Sequence, residues 1–199
     1  MTTGALAGPA APTVERLLDA AAGAFADRGF HATTTRDIAS RAGLSAAGVY
    51  VHFDSKEALL YALSRRGHEA ALELVRASAT LPGTATERVA RLMSGFATWH
   101  AEHHEVARVV QYEFPHLLPE HRDDVLALRK TIDRAVRELL AEGQAAGEFE
   151  VADVHDTALA LMSLCIDVAR WYSPGVRRTP GVIGRTYASL GLRLLGVRA

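Results

Sequence analysis

Thr34 and Ser45 are helix-start residues, and Gly43 stands just before the second of them. Together they confine the stretch from Thr33 to Phe53 to two short helices joined by a tight turn. Asp37 follows Thr34 by three residues, the spacing of a capping box. Gly43 takes the turn, where a positive φ is cheap only without a Cβ. Ile38, Ala42 and Val49 fall on the side of the core, Ala39 is small where two helices cross, and Leu44 plugs the turn. A helix-turn-helix is the arrangement this pattern specifies.

The remainder of the chain keeps the helical period. Val14, Leu17, Leu18, Ala21 and Phe25 make one apolar stripe, capped at Thr13 and stopped by Gly29. Ser45 starts a helix through His52; Asp54 and Ser55 start a long one, ended by Leu81-Pro82-Gly83. Further helices are expected over 84–101, 103–112, 120–146, 153–172 and 180–195, with Gly147 as a C-cap. No run alternates with period two for long enough to make a strand. The expectation is an all-α fold of about nine helices: a loose tail over 1–12, a helix-turn-helix unit over 13–60, and a body over 61–199.

Other classes fall away on composition. The single cysteine, Cys165, excludes an internal disulfide framework and points to a reducing compartment. The first twelve residues lack the cationic start of a signal peptide, and the apolar run 158–166 is far short of the roughly 20 residues of a membrane span. A cytoplasmic protein with no membrane association is expected.

Residues suited to DNA cluster around the second short helix. Its leading edge carries Ala46, Ala47 and Gly48, small enough to let backbone approach bases in a major groove. Thr34, Thr35, Tyr50, His52 and Lys56 offer donors for phosphate, Arg36 suits bidentate contact with guanine, and Ser45 joins Arg36 as a candidate for base readout. The runs Gly29-Phe30-His31-Ala32-Thr33-Thr34, Ile38-Ala39, Ala42-Gly43-Leu44-Ser45 and Val49-Tyr50-Val51-His52-Phe53-Asp54-Ser55-Lys56-Glu57-Ala58-Leu59-Leu60 resemble the DNA-binding domain of the tetracycline-repressor (TetR) family. That resemblance implies a homodimer joined through the last two helices, here roughly 153–195, on an inverted-repeat operator in double-stranded DNA. It implies a body with a buried pocket, and repression relieved by a small-molecule effector. Tyr50 and Lys56 match the family's DNA-contact tyrosine and lysine. Ala46, Ala47 and Gly48 depart from it, since they offer no long polar side chain.

In the body, Leu139, Glu142-Gly143, Gly147-Glu148-Phe149, Asp153 and Trp171-Tyr172 resemble regulators that sense acyl-CoA thioesters of lipid or steroid breakdown. Met93, Phe96, Trp99, Tyr112, Phe114, Met162, Cys165 and Trp171 fit either ordinary core packing or an apolar pocket. Arg108, Arg170, Arg177 and Arg178 are candidates for a thioester's phosphates. His100, His103, His104 and Glu105 have the i, i+3, i+4 spacing of a metal face. A metal-binding helical enzyme is therefore an alternative, as is a ligand-independent DNA-binding protein. A histidine cluster without metal is preferred, and Cys165, in an apolar run, reads as inert. No cofactor, catalytic residue or metal is expected.

Charge qualifies the DNA reading. Over residues 1–66 there are seven Lys+Arg against six Asp+Glu, so +1, within a whole-chain net charge of −1. Binding would rest on the placement of a few groups rather than on a basic field.

Overall fold

A computed structural model describes residues 11–197. Nine α-helices and one 3₁₀ turn lie among them. Most of the loose tail expected over 1–12 lies outside the described residues. Its last two are already helical: α1 spans Ala11–Ala32. Thr13 is thus inside the helix and caps nothing, because Pro12, with its fixed φ, suits a first turn. Near its other end α1 breaks at Gly29, whose φ of 76° no bulkier residue adopts cheaply.

The helix-turn-helix forms as its caps dictate. Thr34 accepts from the Asp37 amide at 3.1 Å while Asp37 accepts from the Thr34 amide at 2.9 Å, and α2 spans Thr35–Arg41. Gly43 turns the chain at φ 67°. Ser45 caps α3, Ala46–Tyr50, which ends two residues before the expected His52. Ser55 then caps α4, Lys56–Thr80. Leu17, Phe25, Ile38, Val49, Leu59 and Leu60 form the core of this head, closed from the other side by Val109, Leu117 and Val125.

Those three closing residues belong to the body, so the two parts share a wall. The body continues with α5 (Ala85–Glu102), α6 (His104–Tyr112), the 3₁₀ turn Phe114–His116, α7 (Pro119–Ala145), α8 (Val154–Trp171) and α9 (Pro180–Leu194). Its core comprises Val89, Phe96, Val136, Leu140, Leu161 and Val168, among others. The boundary expected at 60/61 falls inside the continuous helix α4.

The Glu142–Phe149 run has a structural task. Glu148 accepts from the amides of Thr86 (2.7 Å) and Ala85 (2.9 Å), closing the start of α5. Those amides, Thr86 first, hold the carboxyl below its ordinary range. Phe149 lies over Gly143, where a Cβ would strike its ring, and Glu142 pairs with Arg88. This clasp fixes the α7–α8 loop on α5, and α9 packs along the other flank of α5.

Candidate nucleic-acid interface and effector cavity

The head exposes few free groups. Arg16 donates to the Ala42 carbonyl at 2.9 Å, Arg28 pairs with Asp37 at 3.3 Å, and Arg41 pairs with Asp27 at 2.6 Å. Arg65 and Arg66 pair with Glu69 and Glu15. Arg36 is exposed on α2 and has no partner among the described residues, which leaves its planar fork available to a base edge. Thr34 is committed to its capping box: its hydroxyl donates to Asp37 at 2.6 Å, and this bond lowers the Asp37 pKa. Thr35 is half-buried in the first turn of α2.

On α3, Ser45 accepts from the Gly48 amide at 3.1 Å and keeps its hydroxyl proton to donate. Ala47 is exposed, Ala46 and Gly48 half-exposed, so the backbone of this helix is within reach of a groove. Tyr50 is 54% exposed and His52 half-buried. Val51, 78% exposed, was passed over by sequence reasoning. An apolar side chain left bare beside a recognition helix suits the thymine methyl group. Its place between Tyr50 and His52 was the available signal.

Lys56, expected at a phosphate, faces inward in this structure. Its ammonium donates to the carbonyls of Phe30 (2.6 Å), Thr33 (2.8 Å) and His31 (3.4 Å) and sits 4.3 Å from the centre of the Phe30 ring. An ammonium has three donors, and all are used at the end of α1, whose last carbonyls have no intrahelical partner.

The body contains a half-open cavity of about 310 Å³ between α4, α5, α6, α7 and α8. Of the expected lining, Phe96, Trp99 and Met162 are there. Met93 and Cys165 are not: both are buried against each other, the Cys165 thiol 3.7 Å from the Met93 carbonyl. Burial pushes that thiol up to about 12, so it stays protonated. Tyr112 and Trp171 are also absent from the lining, lying 55% and 38% exposed on the surface. Arg108, Arg170, Arg177 and Arg178 are outside it too, and Arg170 is bonded to Asp167 at 2.6 Å. Sequence reasoning missed the polar lining, His68, Arg129 and Asp133, because those residues come from helices distant in sequence.

The histidine face does not assemble. His103 lies at the break between α5 and α6, so His104 belongs to the next helix. His100 is buried, bonded to the Phe96 carbonyl at 2.8 Å, and lines the cavity. His103 stacks on Trp99, and His104 meets Tyr172 edge-on. No group of three potential ligands among the described residues could hold a metal ion. None of their helices is long and apolar enough to cross a membrane.

Comparison with known proteins agrees with this architecture. Residues 17–63 match the family of bacterial regulatory proteins named for tetR, and residues 82–195 match the tetracyclin repressor-like C-terminal domain. The transcriptional repressor KstR2 of Rhodococcus jostii is 32% identical over 88% of this chain and 87% of its own length. A TetR-family regulatory protein from Rhodococcus RHA1 superposes with a TM-score of 0.87 at 36% identity, covering 94% of this chain and 98% of that one. The ketosteroid transcriptional regulator KstR2 of Mycobacterium tuberculosis superposes with a TM-score of 0.83 at 26% identity, covering 97% of each. The all-helical architecture is thus shared with relatives matched over nearly their full length, and the chain belongs to the TetR family of DNA-binding transcriptional regulators.

Proposed function

We propose that this protein is a cytoplasmic repressor, acting as a regulator rather than an enzyme, that binds an inverted-repeat operator as a homodimer and leaves it when an apolar effector enters the cavity. Residues 13–60 contact DNA; residues 61–199 hold the effector and form the dimer. The effector class is that of lipid or steroid breakdown, free or as an acyl-CoA thioester. The resemblance to KstR2, a ketosteroid regulator in Mycobacterium tuberculosis, supports that class.

One observation carries the reading. The single helix α4 contributes Leu59 and Leu60 to the head core and Gly67, His68 and Ala71 to the cavity wall. Whatever fills the cavity presses on the same helix whose leucines share the head core with Ile38 and Val49. An effector that binds one position of α4 better than another shifts the spacing of the two heads.

Selection of an operator from a random duplex pool, followed by release with steroid-derived and fatty acyl-CoAs, tests the proposal. A palindromic site released by at least one compound is expected. Absence of any selected palindrome overturns it.

A further inference from the structure

Most of the cavity wall is apolar, and two of its polar groups, Arg129 and His68, are linked. Arg129, half-buried on α7, donates Nε–H to His68 Nε2 at 2.9 Å. The His68 Nδ1 lies 2.7 Å from the Ser64 carbonyl. A carbonyl only accepts, so the ring carries its proton on Nδ1 and offers a lone pair to Arg129. Burial first, and the Arg129 charge after it, lower the His68 pKa to about 4, which keeps this tautomer neutral. The guanidinium is thereby held by one edge, and its two Nη groups have no hydrogen-bond partner among the described residues.

Arg129 also lacks a counter-charge there. Asp133, one turn along α7, is bonded to Arg137 at 2.9 Å. Burial alone lowers the Arg129 pKa, with no acid beside it to raise it. A cation held half out of water without an anion is costly, and a ligand carboxylate relieves that cost through paired N–H···O bonds. The guanidinium meanwhile rests 4.2 Å over the ring of Phe114, in the 3₁₀ turn that packs against the head core.

We infer that Arg129 is the anion receptor of this cavity, that His68 positions it, and that the effector is an apolar molecule carrying a carboxylate on the group buried at Arg129. This rests on reading the cavity as the effector site. A carboxylate that draws the guanidinium from Phe114 alters a contact beneath the head, so occupation is felt there.

Calorimetric titration of the full chain with decanoate, methyl decanoate and decanoyl-CoA, with operator release measured in parallel, tests the assignment. Decanoate is expected to bind at least tenfold more tightly than its methyl ester. Arg129→Met is expected to weaken decanoate tenfold or more and to leave the ester unchanged, and Arg129→Lys to recover most of the loss. Equal binding of acid and ester, no binding of decanoate, or indifference of decanoate to Arg129→Met overturns the assignment. Should Arg129→Met fail to fold, the acid–ester comparison on the unaltered protein decides alone. Arg129-dependent binding without operator release overturns the effector reading and leaves the receptor standing. Release by decanoyl-CoA with acid and ester equal does the reverse.

Discussion

The Lys56 ammonium lies 2.6 Å from the Phe30 carbonyl oxygen and 4.3 Å from the centre of the Phe30 ring, so one side chain joins the start of α4 to the end of α1. The corner that aims α2 therefore depends on a cation facing inward. Lys56→Met leaves the Phe30, His31 and Thr33 carbonyls without this donor and should destabilise the fold by roughly 1.5–3 kcal/mol, the range for hydrogen bonds to charged groups. Operator affinity should fall while its salt slope stays unchanged. Removing a true phosphate ligand would instead make that slope shallower by about 0.9 for each head, about 1.8 for the dimer. Melting curves and operator titrations across salt separate the two outcomes.

Arg36 is the one head Lys or Arg without a partner among the described residues, and it is exposed in the first turn of α2. Arg36→Ala should cost about 1–3 kcal/mol per half-site and relax discrimination at one base pair, as removal of a bidentate guanine ligand does. Binding measured against operators altered one position at a time checks this. Uniform weakening across all of them would move Arg36 to the phosphate backbone.

Two imidazoles, His100 buried and His68 half-buried, make stability depend on pH. Burial lowers His68 and His100 to about 4 from the ordinary 6.5. A unit or more above pH 6.5 both are neutral whether folded or unfolded, and neither contributes a slope. Between pH 6.5 and 4 the unfolded chain takes up protons that the folded one refuses, so stability falls as pH falls. The loss approaches roughly 3 kcal/mol per residue by pH 4, at 1.36 kcal/mol for each pKa unit. Denaturant titrations at pH 7, 6 and 5 should show it, and His100→Gln should flatten the curve. An unchanged slope in that variant would mean His100 takes up its proton while folded.

Local signals made most of the fold legible. Thr34, Asp37, Gly43, Ser45 and Ser55 act within three or four residues of themselves, so caps and turns could be read directly. The start of α1 was misplaced because Thr13 and Pro12 are competing start signals, and the proline prevailed. The cavity was half-legible. Phe96, Trp99 and Met162 were found, yet Met93 and Cys165 share the same apolar periods and differ only in which neighbour they meet. Periodicity gives the inward face of a helix but not whether a space lies opposite it. The inward bonds of Lys56 were illegible for the same reason: its partners are about 25 residues away in sequence, joined by the fold.

Helices α8 and α9 leave large apolar side chains bare. Leu164 and Trp171 on α8 and Leu190 and Leu194 on α9 are between 38% and 56% exposed. Apolar side chains left bare in this way suit burial against a second copy. A two-fold axis through that face would let each copy cover the other's leucines with its own. Leu164→Glu together with Leu190→Glu would bury two carboxylates per protomer in such an interface, so the dimer should give way to monomer in light scattering. Because neither side chain is in the buried core, the monomer should keep its helical circular dichroism. Operator affinity should drop by far more than tenfold, since each head would then bind without the help of its tethered twin. A variant that remains dimeric would place the interface on another face.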